Sequence, residues 1–198
     1  TLTGADEADT RAFFDTSAKA EAWESSLSSL SVFAFDNSGA LIIRRDFALS
    51  ELSSKSATFS LPKSAAGTEC SFYAIANYDV SSVKTRAALT ALVEKSAGDY
   101  NGTFAEVSTA AKRSGGFVMS GSATKTVGAV NSTTNVGITL KRTVAKIALQ
   151  TSIDPSFADK YSGTLTINSV KLSKAASQSL VVAGTPTPGA LSYTHTQT

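Results

Sequence analysis

The residue types that most often do chemistry are scarce in this chain. It has one histidine, His195, and one cysteine, Cys70. A nucleophile needs a general base, and the base needs an orienting partner. His195 stands near the C-terminus among Thr, Tyr and Gln, where nothing local supplies either role, and reads as a surface histidine. Cys70 opens the apolar run Cys70 to Ala76. A thiol buried there reads as an inert packing residue. A single cysteine excludes an internal disulfide and leaves the redox compartment open. The shortage of His and Cys also removes most zinc sites.

Three other patterns can be tested against known chemistries. Gly115-Gly116-Phe117-Val118-Met119-Ser120-Gly121 is glycine-rich. It lacks the spacing of a dinucleotide fingerprint and the Lys-Ser/Thr of a phosphate loop, so it reads as a turn feeding a strand. Asp6-Glu7-Ala8-Asp9 offers carboxylates to a calcium ion. The spacing and closing Glu of an EF-hand loop are missing, which leaves a solvated acidic loop. Asn101-Gly102-Thr103 and Asn131-Ser132-Thr133 match the glycosylation sequon, a pattern frequent by chance. No pair of carboxylates stands out for glycoside hydrolysis. The reading is a non-enzymatic protein with no catalytic residues, no cofactor and no metal.

The bulk properties point the same way. Hydrophobic residues make up 42% of the chain and charged residues 17%, enough apolar material for a core. The net charge is +2, and Lys and Arg are spread along the chain without a basic run, so nucleic acid is not an expected partner. No run approaches the ~18 apolar residues of a membrane span. The chain starts at Thr1 without Met or a signal peptide and reads as a mature or trimmed form.

The elements that would carry any site are mostly strands. Trp23, Leu27 and Leu30 are spaced for a short amphipathic helix leading into a strand. The strand Leu30 to Phe35, the turn Asp36-Asn37-Ser38-Gly39 and the strand Ala40 to Arg45 form a hairpin. Ala57 to Leu61 alternates with period two and stops at Pro62. Cys70 to Ala76 is apolar enough to be buried on both faces. Thr85 to Ser96 is the one good helix, with Gly98 just past its end. Phe117 to Ala123 and Lys125 to Val130 suggest a second hairpin.

Val136 to Leu149 is the longest strand signal. Ile138 and Leu140 lie on one parity and Ala145, Ile147 and Leu149 on the other. That phase change flips the buried face and marks a bulge or domain crossing near Lys141-Arg142-Thr143. Thr164 to Leu172 and Leu180-Val181-Val182 are the remaining strands. The expected architecture is mainly β: an N-terminal β-sandwich domain with a helical insertion, residues 1–142, then the start of a second β-sandwich, residues 143–198. About three strands are thin for an independent sandwich, so the second domain reads as incomplete.

Several segments, in order, resemble the fimbrillins, or type V pilins, of Bacteroidales. They are Thr10-Arg11-Ala12-Phe13, Leu30 to Asp36 with Asn37-Ser38-Gly39, Phe72 to Asn77, Phe117 to Gly121, and Leu140 to Ile147. Ile167 to Leu172 is similar to the next family strand. The resemblance implies transthyretin-like sandwiches, a lipoprotein precursor, and a place in a cell-surface fimbrium at the outer membrane of a Gram-negative bacterium. Membrane contact would come only through a lipid anchor on the precursor. It implies a domain crossing at Arg142, Thr143 and Val144, where the phase change falls. It also implies an Arg-specific maturation protease cutting between Arg11 and Ala12, which would open a groove that a neighbouring pilin subunit fills with a strand. An ordinary loop arginine is the plain alternative for Arg11. In the cleaved case the chain is an uncut form, lacking part of the strand upstream of Thr1. Host or bacterial surface ligands are the further partners the family implies. The resemblance does not separate shaft, tip and anchor subunits. A non-polymerising adhesin or glycan- or protein-binding module is the alternative function.

Overall fold

The structure, a computed structural model, describes residues 2–3, 22–52, 56–94, 116–144, 156–176, 178–182 and 191–196. In chain order its elements are β1 (Leu2–Thr3), β2 (Leu30–Phe35), β3 (Leu41–Phe47), β4 (Glu69–Ala76), α1 (Arg86–Thr90), β5 (Val93–Glu94), β6 (Met119–Thr126), β7 (Ile138–Thr139) and β8 (Lys141–Arg142). They continue with α2 (Phe157–Lys160), β9 (Ser169–Ala175), β10 (Ser179–Leu180) and β11 (Leu191–Thr196). The protein is mainly β, as its strand patterns indicate.

A five-stranded sheet in the order β3-β2-β4-β6-β8 organises the molecule, with every neighbouring pair antiparallel. β2 and β4 are central and apolar because both faces are covered. Val32, Ala34, Phe72, Ala74 and Met119 face one cluster, with Phe47, Ile138 and Leu140 packed on it. Phe33, Phe35, Ile75 and Val118 face the other, with Val80, Val83, Leu89, Val181 and Val182. Phe33 and Phe35, two residues apart, share a face and stack with ring centroids 5.8 Å apart. Burying such a side chain contributes about 1.5–3 kcal/mol, so the central strands dominate the energetics.

The first hairpin forms as expected. Gly39 takes φ +86°, which a glycine adopts without strain, and its N–H donates to the Asp36 carbonyl at 3.0 Å. The Asp36 carboxylate accepts from the Ser38 hydroxyl at 2.6 Å and the Ala40 N–H at 2.9 Å. Those donors hold its carboxyl below the usual 3.8.

Other expectations change for identifiable reasons. The spacing of Trp23, Leu27 and Leu30 yields only a 3-10 turn over Ala22–Ser25, because Leu30 already opens β2 and pairs on both sides. Ala57, Phe59 and Leu61 do pack on the first cluster, yet residues 56–61 form no ladder. The long helix ends at Thr90: Val93 and Glu94 pair instead with Leu180 and Ser179, far away in sequence. Lys125 to Val130 is no returning arm, because β6 runs straight through Thr124 to match all of β4, from Glu69 opposite Thr126 to Ala76 opposite Met119. The strand expected from Thr164 starts at Ser169. Val136 to Thr143 breaks at Leu140 into β7 and β8, and the rest of the expected strand, from Ala145, lies outside the described residues.

Candidate functional site

The short parallel pair β1–β7, a two-stranded sheet of its own lying against β6, is the candidate site. β1 lies beside β7, with Leu2 opposite Ile138 and Thr3 opposite Thr139. Ile138 and Leu140 are buried in the first cluster, so their side chains pin the backbone while one edge faces outward to β1. β7 sits close over β6 because residue 121 is glycine. A Cβ there would collide with the Thr139 carbonyl and come within 2.8 Å of the Ile138 Cγ2 atom. The site is therefore a sheet edge whose chemistry is main-chain hydrogen bonding.

Immediately after it the chain is fixed to the sheet. Lys141 and Arg142 pair with Ser120 and Met119. The Arg142 guanidinium donates to the Glu24 carboxylate at 2.7 Å, and Glu24 is only 2% exposed. The Thr143 N–H and hydroxyl both donate to the Val118 carbonyl, at 3.0 and 3.3 Å. Val144 is half-buried. Arg142 ends β8, and Thr143 and Val144 follow it. Val181 and Val182, beyond the expected boundary, return to pack in the second cluster of that same sheet.

The other sequence candidates scatter. Arg11 and Ala12, the acidic run at 6–9, and Asn101 lie outside the described residues. Cys70 is fully buried, with the Thr68 hydroxyl 3.5 Å from its sulfur. Asn131 sits in an exposed turn at φ +65°. His195 is in β11, opposite Val170. Phe117 to Ser120 are buried and lead into β6, so the glycine-rich run does feed a strand. Among the described residues no cluster of His, Cys, Asp and Glu could hold a metal ion. A shallow cleft of about 440 Å³ is lined by Ser28, Ser31, Asp46, Asn77, Asp79 and Ser81 among others. Its polar groups are taken up internally: the Ser31 hydroxyl donates to Asp46 at 2.7 Å, and Asp79 accepts from the Ser81 N–H.

Two residues that sequence reasoning passed over matter to the site's frame. Asn77, at φ +60° just after β4, accepts from the Ser28 N–H and hydroxyl and the Ser29 N–H. Its amide nitrogen donates to the Ser26 and Phe117 carbonyls, both at 2.8 Å. It joins the start of β2, the end of β4 and the approach to β6. A lone Asn closing an apolar strand was the available signal, because Asn tolerates that backbone region. The other is Glu24, for which the sequence carries no signal, its partner being remote along the chain.

The family model described as major fimbrial subunit protein (FimA) matches residues 4–184. Comparison with curated proteins gives no match. Among solved structures, a fimbrial assembly protein from Parabacteroides distasonis is similar at TM-score 0.55 and 14% identity, over 91% of this chain and 73% of that one, which shows a shared fold. The tip fimbrial protein Mfa3 from Porphyromonas gingivalis, with a C-terminal truncation, aligns at TM-score 0.40 and 15% identity over 61% of this chain and 44% of that one.

Proposed function

The chain belongs to the major fimbrial subunit protein (FimA) family, and on that premise we propose that it is a structural subunit of a cell-surface fimbrium that assembles by β-strand exchange. The observation that carries this reading is the β1–β7 pair. β1 lies upstream of Arg11 and pairs with β7 through two residue pairs. Hydrolysis of the Arg11–Ala12 bond by an Arg-specific protease would turn β1 into a separable peptide. Its departure would leave the outer edge of β7 without its hydrogen-bond partner while Ile138 and Leu140 stay buried in the core. A strand from a neighbouring subunit would then satisfy that edge, its backbone giving affinity and its side chains register. The role is mechanical rather than catalytic. Export as a lipoprotein precursor and adhesion to surface ligands belong to the same reading.

Limited digestion with an Arg-specific protease, read by mass spectrometry and sizing, tests it. A single cut after Arg11 that releases the N-terminal peptide and yields polymers is the expected result, and Arg11→Ala should block both while leaving the fold intact. Resistance at Arg11, or a clean cut without polymers in the full-length subunit, would instead favour a tip, anchor or stand-alone binding role.

A further inference from the structure

β9 and β11 form a two-stranded antiparallel ribbon. Its strand β9 lies open to solvent, with Val170 40% and Leu172 41% exposed. A lone two-stranded ribbon is marginal in water. Leu191 stands opposite Ala175, so the connector, residues 176–190, leaves and rejoins the ribbon at one end. Hairpin loops usually take about 2–5 residues, and this connector is far longer.

The connector is not a free loop. Ser179 and Leu180 pair with Glu94 and Val93, and the Val181 N–H donates to the Leu92 carbonyl at 2.9 Å. The Ser120 hydroxyl, on β6, donates to the Val181 carbonyl. The Ser179 hydroxyl lies 3.5 Å from the Thr143 carbonyl. Val181 is fully buried and Val182 nearly so, both in the cluster of Phe33, Phe35 and Ile75. A serine and two valines thus plug the core of the main sheet, hydrogen-bonded to β5, to β6 and to the point where the chain leaves β8.

We propose that Ser179–Val182 is an anchor that fixes the turn end of the β9–β11 ribbon to the main sheet. Strand β9 is solvent-exposed, whereas the plug carries apolar burial and main-chain pairing. Tension on the ribbon would pass through the plug into β5 and β6. The anchor acts in the single chain and holds whether or not the subunit polymerises.

Hydrogen exchange read by mass spectrometry on the whole chain tests this. In Val181→Ala/Val182→Ala, β9 and β11 amides should exchange faster by about tenfold more than those of β2 and β4, as expected when one region opens below the global barrier. An equal or larger rise in β2 and β4, or no change anywhere, would reduce the plug to ordinary core packing and overturn the proposal. A second protein serves if that variant does not fold: Val93→Cys/Leu180→Cys with Cys70→Ser, whose new cysteines face each other across the β5–β10 pair. Oxidation should slow exchange in β9 and β11 relative to the same protein reduced. Equal exchange in the two states, despite a disulfide verified by mass, would overturn it.

Discussion

Asn77 shows how one polar side chain can hold three strand ends. Its carboxamide satisfies two backbone N–H groups and two carbonyls that no ladder reaches. Alanine at this position would remove those hydrogen bonds, and would place a side chain with no local hydrogen bonding at φ +60°. Asn77→Ala should therefore lower unfolding free energy by about 2 kcal/mol, measured by denaturant titration. A change within ~0.5 kcal/mol would mean that water replaces the amide at little cost. Arg142 illustrates the opposite case. Its type and position suggested a crossing, but its partnership with buried Glu24 is a tertiary fact.

At the scale of elements, the contact between β6 and β7 is the sharpest constraint. Gly121 lets the Thr139 carbonyl approach so closely that any Cβ must push β7 outward. Gly121→Ala should displace β7 and weaken its hold on β1. The expected readout is faster proteolytic loss of the N-terminal segment and faster exchange at Ile138 and Thr139, with β2–β4 protection kept. Unchanged exchange at those two amides would show that β7 moves freely enough to absorb a methyl group. The same scale explains the missed helix. The Leu89 and Leu92 periodicity is real and Leu89 is fully buried, but the backbone beyond Ala91 finds partners in Ser179–Val182 and turns extended. Thr85 still caps the short helix that remains, its hydroxyl accepting from the Ala88 N–H at 3.1 Å.

At the scale of the whole molecule, the sheet is asymmetric in how its margins are closed. β3 forms one edge and carries Arg44, Arg45 and Asp46, charges that discourage pairing with another chain. Arg45 is tied to Glu51 at 2.8 Å and Arg44 to Asp46 at 3.1 Å. The opposite edge is the two-residue β8, and β7, just before it in the chain, pairs separately with β1. A chain cut after Arg11 and freed of its N-terminal peptide should melt several degrees below the uncut chain, since ~1 kcal/mol moves the midpoint of a domain this size by about 2–4 °C. A synthetic peptide spanning residues 1–11 should restore the midpoint and compete with assembly. A cut chain that melts like the uncut one would mean that β1 contributes nothing to the closed subunit.

The sequence alone determined the strand-rich class, the β2–β3 hairpin with its Asp36-to-Gly39 turn, and the double-sided burial of β4. Each rests on a local rule: a period of two, a turn residue free to take positive φ, or an apolar run too dense for a one-faced strand. It also supplied the motif order that resembles the family. Tertiary structure decided that β1 lies beside β7, that Glu24 meets Arg142, that Asn77 joins three strand ends, and that Ser179–Val182 returns to the second cluster of the main sheet. Those four are contacts between segments far apart in the chain, often only two residues long. A pair that short leaves no periodicity to read, and its energy comes from the partner brought alongside, which only the folded chain supplies.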